Sequence, residues 1–430
     1  MRKEFLVFIF SSFLFPLCVT GQDTPAGAKV DSEIPLDTAY LEGVSISVLP
    51  FREKYLEATG SVFATRKEEI QREFGMVSTD LYNRAPGVFM ASGALNTHRI
   101  TIRGVGSRTP YSSNRIRAYL DDIPLTSGDG ISTLEDQDIL AIGSMEVLKG
   151  PSSALYGSGL GGVIRLNSPY PEKPGTKISL LAEGGSFNSQ RYALTGQYKK
   201  GNMAISGGIS RTSTDGFREN SQYSRNSAFL NARYFSSRHR FTLTFSLVDV
   251  HSGIPSSLNE EDFLNNPEKA GGAWGSIGGF EEYIKVLGGA KLESELGEKW
   301  NNSLILYASH ADPYERRPFN ILDERSSNIG IREFLEFDSG PIKIGAGMEF
   351  FNEWFDWKTF ETLPEGQGSL LSDQHETRNY LNAFAYLQWR PAASVLVDAG
   401  LNMNLLAYSI TTQYRIDSTD QSGSYKYSPV

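Results

Sequence analysis

Downstream of its N-terminal apolar run this chain has no cysteine, because the single cysteine of its 430 residues is Cys18, inside that run. An internal disulfide, a thiolate metal site and a cysteine nucleophile are therefore excluded from the rest of the chain. Histidine is also scarce. His98, His239, His251, His310 and His375 are scattered, with no pair at metal-ligand spacing. After the first 21 residues no stretch approaches 18 consecutive apolar residues, and mean hydropathy is −0.30. That excludes helical membrane spans but not a membrane barrel, whose strands are only half apolar. Charged residues make up 21% and the net charge is −9, which argues against a nucleic-acid binder held by phosphate contacts. Ala, Glu, Lys, Leu and Arg are not enriched, so a coiled coil is excluded. With 40% hydrophobic and 12% aromatic residues the chain is not disordered.

What is present begins with a basic Met1-Arg-Lys, an apolar run from Phe5 to Val19, and small residues at Thr20 and Gly21. This pattern predicts a signal peptide over 1–21, and a run this short does not span a bilayer comfortably. Leu17, where a lipoprotein signal wants a small residue, argues against lipidation of Cys18. Residues 22–40 read as a flexible leader. From about residue 176 onward the texture is period two. Phe241, Leu243, Phe245 and Leu247 share one face, with Arg240, Thr242, Thr244 and Ser246 on the other. Met203–Ser210, Ile342–Phe350 and Val395–Leu405 repeat the pattern. Strands of this length cross a bilayer when tilted. Short turns (Lys199–Asn202, Phe235–Arg238) alternate with longer segments, notably 251–279, which is the asymmetry of a transmembrane barrel. A soluble β-sandwich or propeller is the alternative.

Between these regions the sequence carries four motifs in order: Leu81-Tyr-Asn-Arg-Ala-Pro-Gly-Val88, Arg99-Ile-Thr-Ile-Arg-Gly-Val-Gly106, Ala118-Tyr-Leu-Asp-Asp-Ile-Pro124, and the long run from Met145 through Lys149-Gly-Pro to Arg165. Their order and spacing resemble the plug domain of TonB-dependent outer-membrane receptors. Thr214-Asp-Gly-Phe-Arg-Glu-Asn220 looks like the family's early barrel. The resemblance implies a mixed α+β plug over 49–170, followed by an antiparallel transmembrane β-barrel from 171 to 430. The family barrel has 22 strands and about half are present here, some ten to twelve by pattern. A chain piece, completed elsewhere, is the expectation, since two unpaired edges in lipid are untenable.

The resemblance further implies a receptor in the outer membrane of a Gram-negative bacterium, surrounded by its lipid. A scarce ligand, foremost a ferric siderophore, binds plug apices and outer loops. TonB, working with ExbB and ExbD, pulls an N-terminal box to rearrange the plug. Cobalamin, haem or another nutrient is the alternative cargo, and a non-transporting surface protein the alternative role. No enzyme, cofactor, metal or nucleic-acid partner is implied. The candidate TonB box lies in 41–48, as Gly43, Val44, Ser45, Ile46, Ser47 and Val48. It is β-prone and uncharged, as strand addition needs, although Ser45 and Ser47 depart from the commoner form. Arg103 and Lys149 match positions that latch the plug to barrel carboxylates, with Lys149 standing where Arg is more usual. Arg108, Tyr111, Asn114 and Arg115 follow the Ile-Arg-Gly strand and are candidate ligand contacts, with Arg117 adding charge. The loop Thr126–Ser132 is a second candidate. Gly157-Ser-Gly-Leu-Gly-Gly162 matches a dinucleotide fingerprint in letters, but Val163–Leu166 reads as a strand where a helix is needed. The acidic run Glu260–Asp262 reads as a solvated face.

Overall fold

The computed structural model describes residues 45–46, 51, 53–54, 58–65, 67–70, 78–108, 114–151, 154–157, 159–416, 419–420 and 422–427. The segments expected to be a signal peptide and a leader, and most of the candidate box, lie outside them.

The N-terminal part is built on a five-stranded sheet in the order Ser61–Thr65, Ser144–Lys149, Gly162–Asn167, Ile116–Leu120, Ile123–Pro124. Only the pairing of Ile116–Leu120 with Gly162–Asn167 is parallel. A hairpin of Val88–Ala94 and Thr97–Ile102 and a helical turn at Thr79–Asn83 pack beside it. The central strands read as near-continuous apolar runs because both faces are covered. Ile116, Ala118, Met145, Val147, Ile164 and Leu166 all join one buried core with Leu81 and Tyr82.

From Gly175 onward the chain is an up-and-down antiparallel meander. Eleven strands of eleven or more described residues pair in chain order, from Gly175–Gly185 to Val395–Ile416. The turns 201–202, 236–238, 296–299, 339–341 and 393–394 all fall on one rim. The opposite rim carries 186–188, 215–222, 254–279, 312–320 and 364–365. Strands near the long-loop segments run to 22 and 27 residues, Ile342–Leu363 and Gly366–Ala392. That is well beyond the roughly 9–11 a tilted strand needs to cross lipid.

Which face points where separates a membrane barrel from a soluble sandwich. Phe241 is 39% exposed while its neighbour Thr242 is 2% exposed. Leu243 and Phe245 are likewise out and Thr244 in. Ile344, Met348, Leu401 and Met403 repeat this, and Ser206 and Asn231 are buried on the inner side. A water-soluble sandwich buries its apolar face. This sheet does the reverse, turning an apolar belt outward and a polar wall inward.

Candidate functional site

The inward wall meets the N-terminal domain through charge. The Asp121-Asp122 pair sits at a turn with both residues at positive φ, 49° and 71°. That geometry places Asp121 on the Ser168 hydroxyl and, at 2.9 Å, on that of Thr244, while Asp122 accepts from Lys291 of the wall (2.6 Å) and Arg165 of its own sheet (2.9 Å). Burial alone would raise the Asp122 carboxyl, but Arg165 and Lys291 outweigh it and hold it well below the usual carboxylate range. Asp136 accepts from Lys285 and from the Tyr283 hydroxyl, both at 2.6 Å. Asp138 accepts from Arg191 at 3.3 Å and from Ser210. Arg225 grips the carbonyls of Glu135 and Asp136 at 2.9 and 2.7 Å. In the ion pairs that join the two, Asp122–Lys291, Asp136–Lys285 and Asp138–Arg191, the inner domain supplies the acid and the wall the base.

Arg332 is the second anchor. It is buried on the wall, ion-paired to Glu349, and donates to the Leu155 carbonyl at 3.4 Å. Its guanidinium stands 4.8 Å from the Tyr119 ring centroid and 5.1 Å from that of Tyr156. Tyr119 closes the network by donating to Glu349 at 3.2 Å.

The apical loop is a third anchor. The Gly128 amide donates to Glu353 at 2.8 Å, and the Tyr408 hydroxyl donates to the Gly128 carbonyl at 2.9 Å. A Cβ at Gly128 would press on the Glu353 carboxylate and the Arg378 side chain, so a larger residue there would have to displace them.

Two cavities flank these anchors. One of about 860 Å³ opens near the short-turn rim, lined by Asp122, Glu146, Arg165, Lys291, Glu293 and Arg332 among others. The other, about 350 Å³, lies toward the long-loop rim between residues 124–137 and the wall strands.

A central domain pinned inside a sheet by ion pairs, with the apolar belt outside, is the arrangement the sequence motifs anticipate. The comparisons agree. Residues 54–163 match the family model TonB-dependent Receptor Plug Domain. The vitamin B12 transporter BtuB of Vibrio vulnificus is 26% identical over 174 residues, 39% of this chain and 28% of that protein. The pesticin receptor of Yersinia enterocolitica is 29% identical over 162 residues, 37% of this chain and 23% of that protein. The solved ferric yersiniabactin uptake receptor FyuA of Yersinia pestis has the same fold, with TM-score 0.76 at 16% identity, over 86% of this chain and 60% of that one. Residues 54–163 are a plug domain of the TonB-dependent receptor kind. The chain spans only part of the length of these relatives.

In the receptor's plug, the sequence-predicted residues fall as follows. Arg103, at φ 51°, donates to Ser61 Oγ at 2.7 Å. Lys149 is buried and stands 5.9 Å from the Phe63 ring centroid; burial and the Arg103 charge both push its ammonium down. Both therefore face the plug's own Ser61–Thr65 strand. Of the candidate box, only the backbone of Ser45 and Ile46 is described, paired with Lys54 and Glu53. Gly43, Val44, Ser47 and Val48 lie outside the described residues, as does Tyr111.

Arg108, Asn114 and Arg115 are exposed and stand outside the lining of the apical cavity. The Thr126–Ser132 loop does line it, and Asn114 abuts that loop, its carbonyl 3.3 Å from where a Cβ on Gly130 would be. The 157–162 glycines lead into the strand Gly162–Asn167, so the dinucleotide context is absent there. The Glu260–Asp262 run opens a short helix capped by Asn259, with Lys269 3.0 Å from Asp262, a solvated face.

Sequence reasoning did not single out Lys285, Lys291, Arg332, Glu349, Glu353 or Arg378. Their signal is a charged residue in the polar phase of a period-two strand.

One prediction arises in the plug. His98 is buried with neither ring nitrogen hydrogen-bonded among the described residues, and burial lowers its pKa to about 4, with Asp136 opposing and Arg225 adding to the shift. A depressed folded-state pKa contributes stability above the ordinary value near 6.5, lost as pH falls toward 4, up to about 3 kcal/mol. The thermal midpoint of the receptor should fall between pH 7 and pH 4.5, and His98→Gln should flatten that slope. An unchanged slope in the variant would contradict it.

Proposed function

We propose that the receptor sits in the outer membrane of a Gram-negative bacterium and takes up a scarce metal chelate, foremost a ferric siderophore. The observation that carries this reading is the seam. The plug is held by ion pairs and polar contacts along a wall that also borders two cavities, one toward each rim. A polar seam tolerates water as it opens, whereas an apolar interface would have to expose a core. With short turns facing the periplasm, as in bacterial barrels, the smaller cavity faces outward, where a ligand arrives. Arg108, Asn114 and Arg115 then approach the oxygen-rich face of the chelate from beside the Thr126–Ser132 loop.

The outer membrane has no nucleotide supply, so energy comes from TonB with ExbB and ExbD, acting on the box within 41–48. The backbone of Ser45 and Ile46 pairs antiparallel with Lys54 and Glu53, the kind of extended pairing that a partner's strand can take over. Arg103 and Lys149 serve as a further latch of the plug. If so, replacing both by Ala raises entry of large antibiotics, and unchanged permeability would refute that role.

A second reading, uptake of vitamin B12, is favoured by the likeness to a vitamin B12 transporter. Abundance of the receptor in outer-membrane fractions separates the two. Strong induction by iron starvation supports the ferric-chelate reading. A level indifferent to iron and lowered by added vitamin B12 supports the second.

A further inference from the structure

The apical cavity is acid-rich in a way the ligand contacts above do not explain. Two bases line it, and both are engaged. Lys285 is taken by Asp136 at 2.6 Å, and Arg378 by Glu376 at 2.7 Å and Glu353 at 3.3 Å. Asp129 accepts from the Ser127 hydroxyl and the Ile131 amide at 2.6 and 2.9 Å. Three carboxylates remain in the lining, Glu135, Glu281 and Glu324, none with a base at ion-pair distance among the described residues. Glu281 accepts one hydrogen bond, from Asn96 at 3.0 Å.

A second observation points the same way. Gln137 lines this cavity, is 3% exposed, and its Oε1 has no hydrogen-bond partner among the described residues. Asn328, also in the lining, leaves its Oδ1 unpartnered. Buried acceptors left unpaired are costly, so such a set is built for a donor that arrives from outside. The Glu135 carboxyl is pushed up to about 8, first by burial and then by Asp136. It is an acid that a nearby cation would ionise.

The donor is not a bare metal ion. Among the described residues no three histidine, cysteine, aspartate or glutamate side chains are grouped so as to hold one. An ammonium group fits better, since it brings three N–H donors and one positive charge to acceptors spread around it.

We infer that the apical cavity is a subsite for a positively charged amine carried by the ligand, so that the substrate class is a chelate with a cationic tail and not a polycarboxylate. This inference rests on the transport reading for the identity of the ligand, while the subsite itself is testable without it. In such a complex the ammonium enters among Glu135, Glu281 and Glu324, and Gln137 accepts from it.

The test uses the receptor purified from outer membranes in neutral detergent, with propylammonium and propionate as probes followed by saturation-transfer NMR. Propylammonium should bind saturably with a Kd in the low millimolar range, about the strength of one charged fragment. Propionate should not. The Glu281→Gln/Glu324→Gln double variant should weaken ammonium binding at least about tenfold. Glu135→Gln, which alters the plug side alone, should weaken it independently, and Glu324→Asp should retain most of it. No saturable ammonium binding, equal binding of propionate, or binding untouched by either variant overturns the inference. Copper(II) binding that these variants abolish, without ammonium binding, overturns it as well. Ammonium binding in a receptor that moves no ferric chelate would instead overturn the transport reading and leave the subsite standing.

Discussion

Replacing Arg332 by Met is expected to destabilise the receptor more than any other single change in the seam. Glu349, 1% exposed, would lose its cation and, among the described residues, keep only the Tyr119 hydroxyl. Breaking a buried pair by removing one partner costs about 3–5 kcal/mol, because the remaining charge stays in a low-dielectric site. The loss would be felt in the plug too, since the guanidinium also covers Tyr119 and Tyr156 and holds the Leu155 carbonyl. A lowered thermal midpoint and raised entry of large antibiotics are the expected results. Arg332→Lys should recover only part of the loss, as a point charge cannot stack on two rings and pair at the same time. A midpoint within error of the parent for Arg332→Met would refute the anchor. Removing both charges, with Arg332→Met and Glu349→Leu together, should cost less than the single change.

The second large effect is expected at the other end of the plug. Val44→Pro or Ile46→Pro should bring energised uptake down to that of a strain without the receptor, with ligand binding at the cell surface unchanged. Proline removes the backbone N–H that an added strand must donate and fixes φ. Ser45→Ala, which keeps that N–H, should transport normally. If the proline variants transport as well as the parent, the box lies elsewhere. If they also lose binding, residues 41–48 act in building the plug and not as a handle.

Much of this architecture is written locally in the chain. Period two at Phe241–Leu247 announces a two-faced strand, and the turns Lys199–Asn202 and Phe235–Arg238 do fall on one rim, as a meander demands. Periodicity, however, gives two faces without saying which looks inward. Only the packing of Thr242 and Thr244 against the interior resolves that. The plug motifs were legible as motifs, yet Asp121-Asp122 within one of them shows no role until Lys291, 169 residues away, is brought to it. The same distance hides the apical cavity, whose acids come from separate strands and share no local pattern. Arg103 and Lys149 stood out through the resemblance alone, as matches to the family's latch positions. Their described contacts are with the Ser61–Thr65 strand, a pairing across tens of residues that spacing does not reveal.

The most direct measurement is accumulation of radioactive iron, presented as ferric siderophores, in iron-starved cells with and without this receptor, each with and without TonB. Accumulation that needs both the receptor and TonB, with surface binding that needs only the receptor, is the predicted result. Accumulation that proceeds without TonB, or binding that never becomes accumulation when TonB is present, would contradict an energised transporter.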